Sequence, residues 1–154
     1  MAALVFEDLA VGMVFSAGAA EVTAENIKEF AAAYDPQPMH LDELAAQTTF
    51  FGQLVGSGWQ ALCLTMRMAA EARWLGDTPL IGAQVDGIRF RRPLLPGEIL
   101  TVRAEVVELR PPVKPGRAFA VLALTTYGND QELLTQRWTI LLPVRQNGPA
   151  SAFC

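Results

Sequence analysis

Cysteine and histidine are scarce in this chain of 154 residues, with two of the first and one of the second. The cysteines, Cys63 and Cys154, stand far apart and show neither a CxxC nor a Cys/His ligand spacing, which excludes a sequence-encoded zinc motif and a dense disulfide framework. A reduced, cytoplasmic protein without a metal centre is the simplest expectation. Charge is also sparse, since 12 basic and 16 acidic side chains leave a net charge of -4. The basic residues are scattered apart from Arg89, Arg91 and Arg92, so the clustered cations that release counterions from a phosphate backbone are missing. Nucleic acid is not expected as the principal ligand. No stretch approaches the roughly 18 consecutive apolar residues of a spanning helix, and the N-terminus meets Glu7 and Asp8 without a preceding basic region. Neither membrane insertion nor secretion is indicated.

What the chain does have is apolar side chains, at 51% of its residues against 18% charged, enough to bury a core at this length. One domain over 1–154 is expected, with its core at about 5–143 and a frayed tail over 144–154. A strand within 12–22 leads to a helix that Thr23 caps, with Ile27, Phe30, Ala31 and Tyr34 on one face. That helix must stop at Asp35, because Pro36 and Pro38 push the residues before them out of the α region. A short turn of helix can restart at Asp42, followed by a glycine-bearing loop over 48–58. The longest helical signal runs from Gly58 to Trp74 with Gly76 as its closing residue, and its apolar positions cover most of the circumference, as in a helix wrapped by other structure. Segments 81–92, 98–109, 117–127 and 133–142 then read as four consecutive strands, broken at Pro93, Pro96-Gly97, Pro111-Pro112, Pro115-Gly116 and Gly128-Asn129-Asp130. The fold class expected is α+β, a five-stranded antiparallel sheet rolled around a long central helix.

Three places can carry chemistry. His40 is the sole histidine and so the sole side chain whose unperturbed pKa lies near neutrality. On a continuous helix Asp35 and His40 would stand about 140° apart, but the intervening prolines force an extended or turning path on which the two can converge as an acid/base pair. An Asp that starts a turn and a His that bonds a carbonyl fit the same residues. Gly56-Ser57-Gly58 sits at the head of the long helix, where free backbone N–H groups can hold a developing oxyanion; small residues entering a crowded core, with Ser57 as an N-cap, are the alternative. On the strand ending near Arg92, alternation puts Arg89 and Arg91 on one face and Arg92 on the other, suited to carrier phosphates or to protecting an exposed edge. Trp59, Trp74, Trp138 and the methionines read as packing residues that can also line an acyl pocket, and Glu71 as a solvated acid.

The run Phe30-Ala-Ala-Ala-Tyr34-Asp35-Pro36-Gln37-Pro38-Met39-His40-Leu41-Asp42, with Phe51-Gly52, Ser57-Gly58-Trp59 and Phe90-Arg-Arg-Pro93-Leu-Leu-Pro96-Gly97-Glu98, resembles the MaoC-like dehydratases, which include the (R)-specific enoyl-CoA hydratases. The resemblance spans about residues 5–143. It implies a hotdog fold and a homodimer with the acyl chain and its carrier arm at the subunit interface. It also implies catalysis by Asp35 and His40 with the Gly58 N–H as oxyanion donor, and substrate binding by Gln37, Ser57, Trp59, Arg89 and Arg91. The reaction implied is reversible addition of water to a trans-2-enoyl thioester, giving an (R)-3-hydroxyacyl thioester, with coenzyme A carried by the substrate and no metal or redox cofactor. Many family members carry Asn at the place of Gln37 and His at the place of Ser57, and the hydroxyl that some set inside the helix has only Thr65 as a counterpart. The acyl group is therefore open among branched, dicarboxylic and medium-chain types, as is coenzyme A against a carrier protein. A hotdog thioesterase and a non-catalytic acyl-thioester binding subunit are the competing readings.

Overall fold

A computed structural model describes residues 2–146. Strand β1 (Val14–Glu21) precedes three helical pieces, α1 (Ala24–Tyr34), α2 (Pro38–Leu41) and α3 (Glu43–Ala46), and then the long helix α4 (Gly58–Glu71). Strands β2 (Ile81–Phe90), β3 (Ile99–Lys114), β4 (Arg117–Gly128) and β5 (Gln131–Pro143) follow without another helix. All pairings are antiparallel and the strand order is β1-β3-β4-β5-β2, so β1 and β2 are the edges of the five-stranded sheet. The long helix lies against this sheet, which is the α+β hotdog arrangement. The expected tail lies, from residue 147 onward, outside the described residues, as does Cys154.

Alternation on the central strands explains the core. On β4, Ala118, Ala120, Leu122, Leu124 and Thr126 point inward at every second position and are all buried. They meet Leu100, Val102, Ala104 and Val106 from β3, and Leu134, Ile140 and Leu142 from β5. On the helix side Ala61, Thr65, Met68 and Ala69 fill the space, and the Thr65 and Thr126 hydroxyls share a 2.6 Å hydrogen bond across the layer. Thr65 is thus a core residue, its hydroxyl also donating to the Ala61 carbonyl at 2.8 Å.

Five expectations need correction. The helix stops at Glu71 rather than running to Trp74, because Arg73 turns into the left-handed region (φ 51°) and returns Trp74 and Leu75 to the core. Gly76 closes that following turn instead, and a Cβ there would lie 1.8 Å from the Ala2 carbonyl oxygen. The helix is not wrapped on all sides, since the sheet covers only one face and Trp59, Cys63 and Met66 stay exposed. Tyr34 is also exposed at 76%, leaving Ile27 and Ala31 as the buried positions of α1. Pro111-Pro112 do not end a strand, because β3 carries them through a register irregularity between Arg110 and Lys114, where no ladder N–H is demanded of them.

Candidate active site

Thr23 caps α1, its hydroxyl accepting from Asn26 N while Asn26 Oδ1 accepts from Thr23 N, both at 3.1 Å. The helix ends where Asp35 N–H donates to Ala31 O, with Asp35 itself at a non-helical φ of -151°. Pro36 and the extended Gln37 (φ -105°, ψ 148°) carry the chain across, and Pro38 opens the single helical turn α2, where its missing N–H and fixed φ cost nothing. His40 sits on that turn. The extended or turning path expected between Asp35 and His40 takes both forms, with an extended Gln37 followed by a helical turn.

Val55 then locks the histidine. Its N–H donates to the Met39 carbonyl at 3.0 Å, and its carbonyl lies 2.6 Å from His40 Nδ1. A carbonyl can only accept, so the proton sits on Nδ1 and Nε2 is left to exchange protons. Nε2 lies 3.3 Å from Asp35 Oδ2, and His40 is 5% exposed. The two sequence readings of this histidine therefore coexist: one ring nitrogen satisfies a carbonyl, and that bond aims the other at Asp35.

Asp35 is held from three sides. Ser57 Oγ donates to Oδ2 at 2.7 Å, Gln37 Nε2 donates to Oδ1 at 2.5 Å, and the imidazole adds its field. Burial by itself would raise the Asp35 pKa, but the hydrogen bonds from Gln37 and Ser57 and the charge of His40 outweigh it, and the carboxyl sits below its ordinary value. It is a carboxylate at neutral pH.

Ser57 is fully buried and also caps α4, accepting from Trp59 N at 3.2 Å. The Gln60 and Ala61 N–H groups reach the Ser57 carbonyl, at 3.0 and 3.4 Å. Gly58 N–H has no acceptor among the described residues at this helix head. A Cβ on Gly58 would fall 2.5 Å from the Phe90 ring, so a larger residue there requires that ring to move.

Asp35, His40 and Gly58 line one cavity of about 390 Å³. Its remaining wall is mostly apolar, with Met39, Phe51, Leu94, Leu133 and Leu134 beside Phe90. Trp59 is at its edge, 63% exposed. Arg89 and Arg91 are exposed, line no part of this cavity and form no ion pair with a described residue. The arginine that reaches the wall is Arg92, whose guanidinium is 2.6 Å from Glu98 Oε1. Sequence reasoning missed Val55, which holds the histidine through its backbone N–H and carbonyl, and Leu94, Leu133 and Leu134, whose apolar patterning reads as ordinary core. Among the described residues no three His, Cys, Asp or Glu side chains gather to hold a metal ion, and no helix is long and apolar enough to cross a membrane.

A model of the family described as MaoC like domain matches residues 8–122. The chain is 33% identical to the MaoC-like dehydratase from Rhodospirillum rubrum, with a TM-score of 0.87 and coverage of 94% of this chain and 99% of that one. Against the R-hydratase PhaJ1 from Pseudomonas aeruginosa the identity is 25%, the TM-score 0.72, and the coverage 97% and 96%. The uncharacterized protein YdeM of Bacillus subtilis is 29% identical over 125 residues, 81% of this chain and 88% of that protein.

Proposed function

The chain belongs to the MaoC-like domain family, and we propose that it is a hydro-lyase adding water reversibly across the α,β double bond of a trans-2-enoyl thioester, with Asp35 and His40 as its acid/base pair. The observation that carries this reading is the approach of a depressed-pKa carboxylate to a histidine of fixed tautomer beside an unbonded helix-head N–H, all on one apolar cavity.

Asp35 and His40 Nε2 hold the water. As its oxygen bonds to C3 one water proton passes to the pair, and a proton is returned to C2, so the product is the 3-hydroxyacyl thioester with nothing left over. The negative charge that builds on the thioester oxygen between these events is met by the Gly58 N–H. A positioned acid/base pair contributes ~10²–10⁴-fold and an oxyanion donor ~3–4 kcal/mol, so neither suffices alone. The step consumes only water and thioester, and coenzyme A enters as part of the substrate. The resemblance to (R)-hydratases favours the (R)-3-hydroxy product.

The apolar wall favours an uncharged acyl chain. Arg92 is the one arginine or lysine on it, and Glu98 already neutralises that charge, while His40 is engaged with Asp35, so a carboxylate-tailed acyl group finds no free counter-ion. A thioesterase using a helix carboxylate is disfavoured, because Glu71 lies exposed at the far end of α4, 3.8 Å from Arg67. A homodimer through the β2 edge accompanies the reading: Ile81, Val85, Ile88 and Phe90 are exposed along that edge strand, which pairs only with β5, and Phe90 also lines the cavity. A cytoplasmic setting fits the free, exposed Cys63.

The test is a panel of trans-2-enoyl-CoA thioesters followed by loss of enoyl absorbance, in parallel with a free-thiol assay. Absorbance loss without thiol release, yielding the (R)-alcohol, supports the reading. Thiol release from saturated acyl-CoA overturns it in favour of a thioesterase, and turnover of neither leaves a binding subunit.

A further inference from the structure

We infer that Arg92 and Glu98 are positioning residues that set the Gly58 N–H through the contact between Leu94 and Gly56. The inference rests on the hydration reading for its effect on turnover, but the mechanical link it describes can be measured without turnover.

The segment between β2 and β3 runs along the cavity and reaches the head of α4 by one backbone hydrogen bond, from Gly56 N–H to Leu94 O at 2.7 Å. The contact is tight, since a Cβ on Gly56 would lie 2.6 Å from Leu94 Cδ2. Two residues beyond Gly56 stands the unbonded N–H. Whatever fixes Leu94 therefore fixes the approach to Gly58.

Arg92 and Glu98 hold Leu94 from both sides. Arg92 Nη2 donates to the Gly128 carbonyl at the end of β4 at 2.7 Å, and Nη1 donates to the Pro93 carbonyl at 3.1 Å while lying 2.6 Å from Glu98 Oε1. Glu98 returns the hold from the other side, its Oε2 accepting from Leu95 N at 2.9 Å. Residues 93 and 95 are thus gripped by one ion pair, and Leu94 lies between them. The pair is sunk into the protein, with Glu98 5% exposed. Its seat is cut to shape, because a Cβ on Gly128 would fall 2.7 Å from Arg92 Nη2 and 2.9 Å from Glu98 Oε1.

Burying two charges beside an apolar cavity is a poor way to gain stability, because desolvation offsets the attraction between them. Arg92 Nε is left buried without a partner, a further cost. What the arrangement supplies is geometry. An oxyanion donor acts on the transition state rather than the bound substrate, and a small misplacement of such a group lowers turnover while leaving affinity intact.

The experiment compares wild type with Glu98→Gln, which keeps the shape and removes the charge, and with Gly128→Ala, which keeps every charge and displaces the pair. For each folded variant, kcat and KM are measured on the best enoyl-CoA substrate, and amide hydrogen exchange of Gly56 is followed by NMR. Both variants are expected to lower kcat about tenfold with KM within about twofold of wild type, and to speed Gly56 exchange about tenfold or more. Should Glu98→Gln fail to fold, Gly128→Ala carries the same expectations. A lowered melting temperature with kcat unchanged overturns the inference in favour of a purely structural pair. So does a rise in KM alone, or Gly56 exchange equal to wild type. If wild type turns over no enoyl thioester, it is the hydration reading that fails, and the exchange rates still decide the link between the pair and Gly56.

Discussion

Ser57 Oγ donates to Asp35 Oδ2 at 2.7 Å from the position at which it also caps the long helix. One buried hydroxyl thereby couples the head of α4, with its free Gly58 N–H, to the carboxylate beside the only histidine. Ser57→Ala breaks both bonds. The helix loses a cap worth ~1 kcal/mol, and Asp35 loses one of the bonds holding its pKa down, so kcat is expected to fall about tenfold with the protein still folded. Urea melts alongside steady-state kinetics check the two parts separately.

Asp35 also ties stability to pH in a fixed direction. Its folded pKa is depressed, so its contribution is complete above the ordinary value of 3.8 and is lost as pH falls through the folded value. Asp35→Asn carries no such contribution. The stability difference between wild type and this variant, from denaturant melts at a series of pH values, is expected to shrink as pH falls below 3.8.

Gly58→Ala drives a methyl group into the Phe90 ring, 2.5 Å away. Because Phe90 is 54% exposed, the ring can swing aside, and it lines the cavity it would then disturb. The expected result is a kcat/KM lowered about tenfold in a folded protein, with part of the loss recovered in Gly58→Ala with Phe90→Ala. Kinetics on the two single variants and the double variant read this coupling.

The β2 edge predicts a concentration-dependent dimer. Placing Lys at both Val85 and Ile88, exposed on β2 at 50% and 36%, sets like charges along the strand that a second copy would have to cover. Light scattering is expected to give twice the 16.7 kDa chain mass for wild type and the single-chain mass for the variant.

Much of this architecture is legible in the residues. Thr23 and Pro36 bound α1, the Pro-Gly and Gly-Asn-Asp breaks separate the strands, β1 falls within the expected 12–22, and the four later strands lie where runs rich in β-branched, aromatic and leucine residues place them. The meeting of Asp35 and His40 also follows from chain direction, because two prolines leave few other paths. What could not be read is whatever depends on which face is covered. Trp59, Cys63 and Met66 look like core by composition, yet the sheet reaches only the other side of α4. Strand alternation already separates Arg92 from Arg89 and Arg91 in the sequence, but which of the two faces turns inward is decided only at the ends of β2 and β4, where Arg92 meets Glu98 and Gly128. The hold of Val55 O on His40 leaves no side-chain signal, because it belongs to the backbone of a loop fifteen residues away.

The central claim is that Asp35 and His40 carry out hydration together, and the direct test is turnover of trans-2-enoyl-CoA by wild type, Asp35→Asn and His40→Ala at matched folded concentration. Each variant is expected to lose ~10²–10⁴-fold in kcat while still binding a saturated acyl-CoA. A His40→Ala protein that hydrates the enoyl thioester at the wild-type rate contradicts the account.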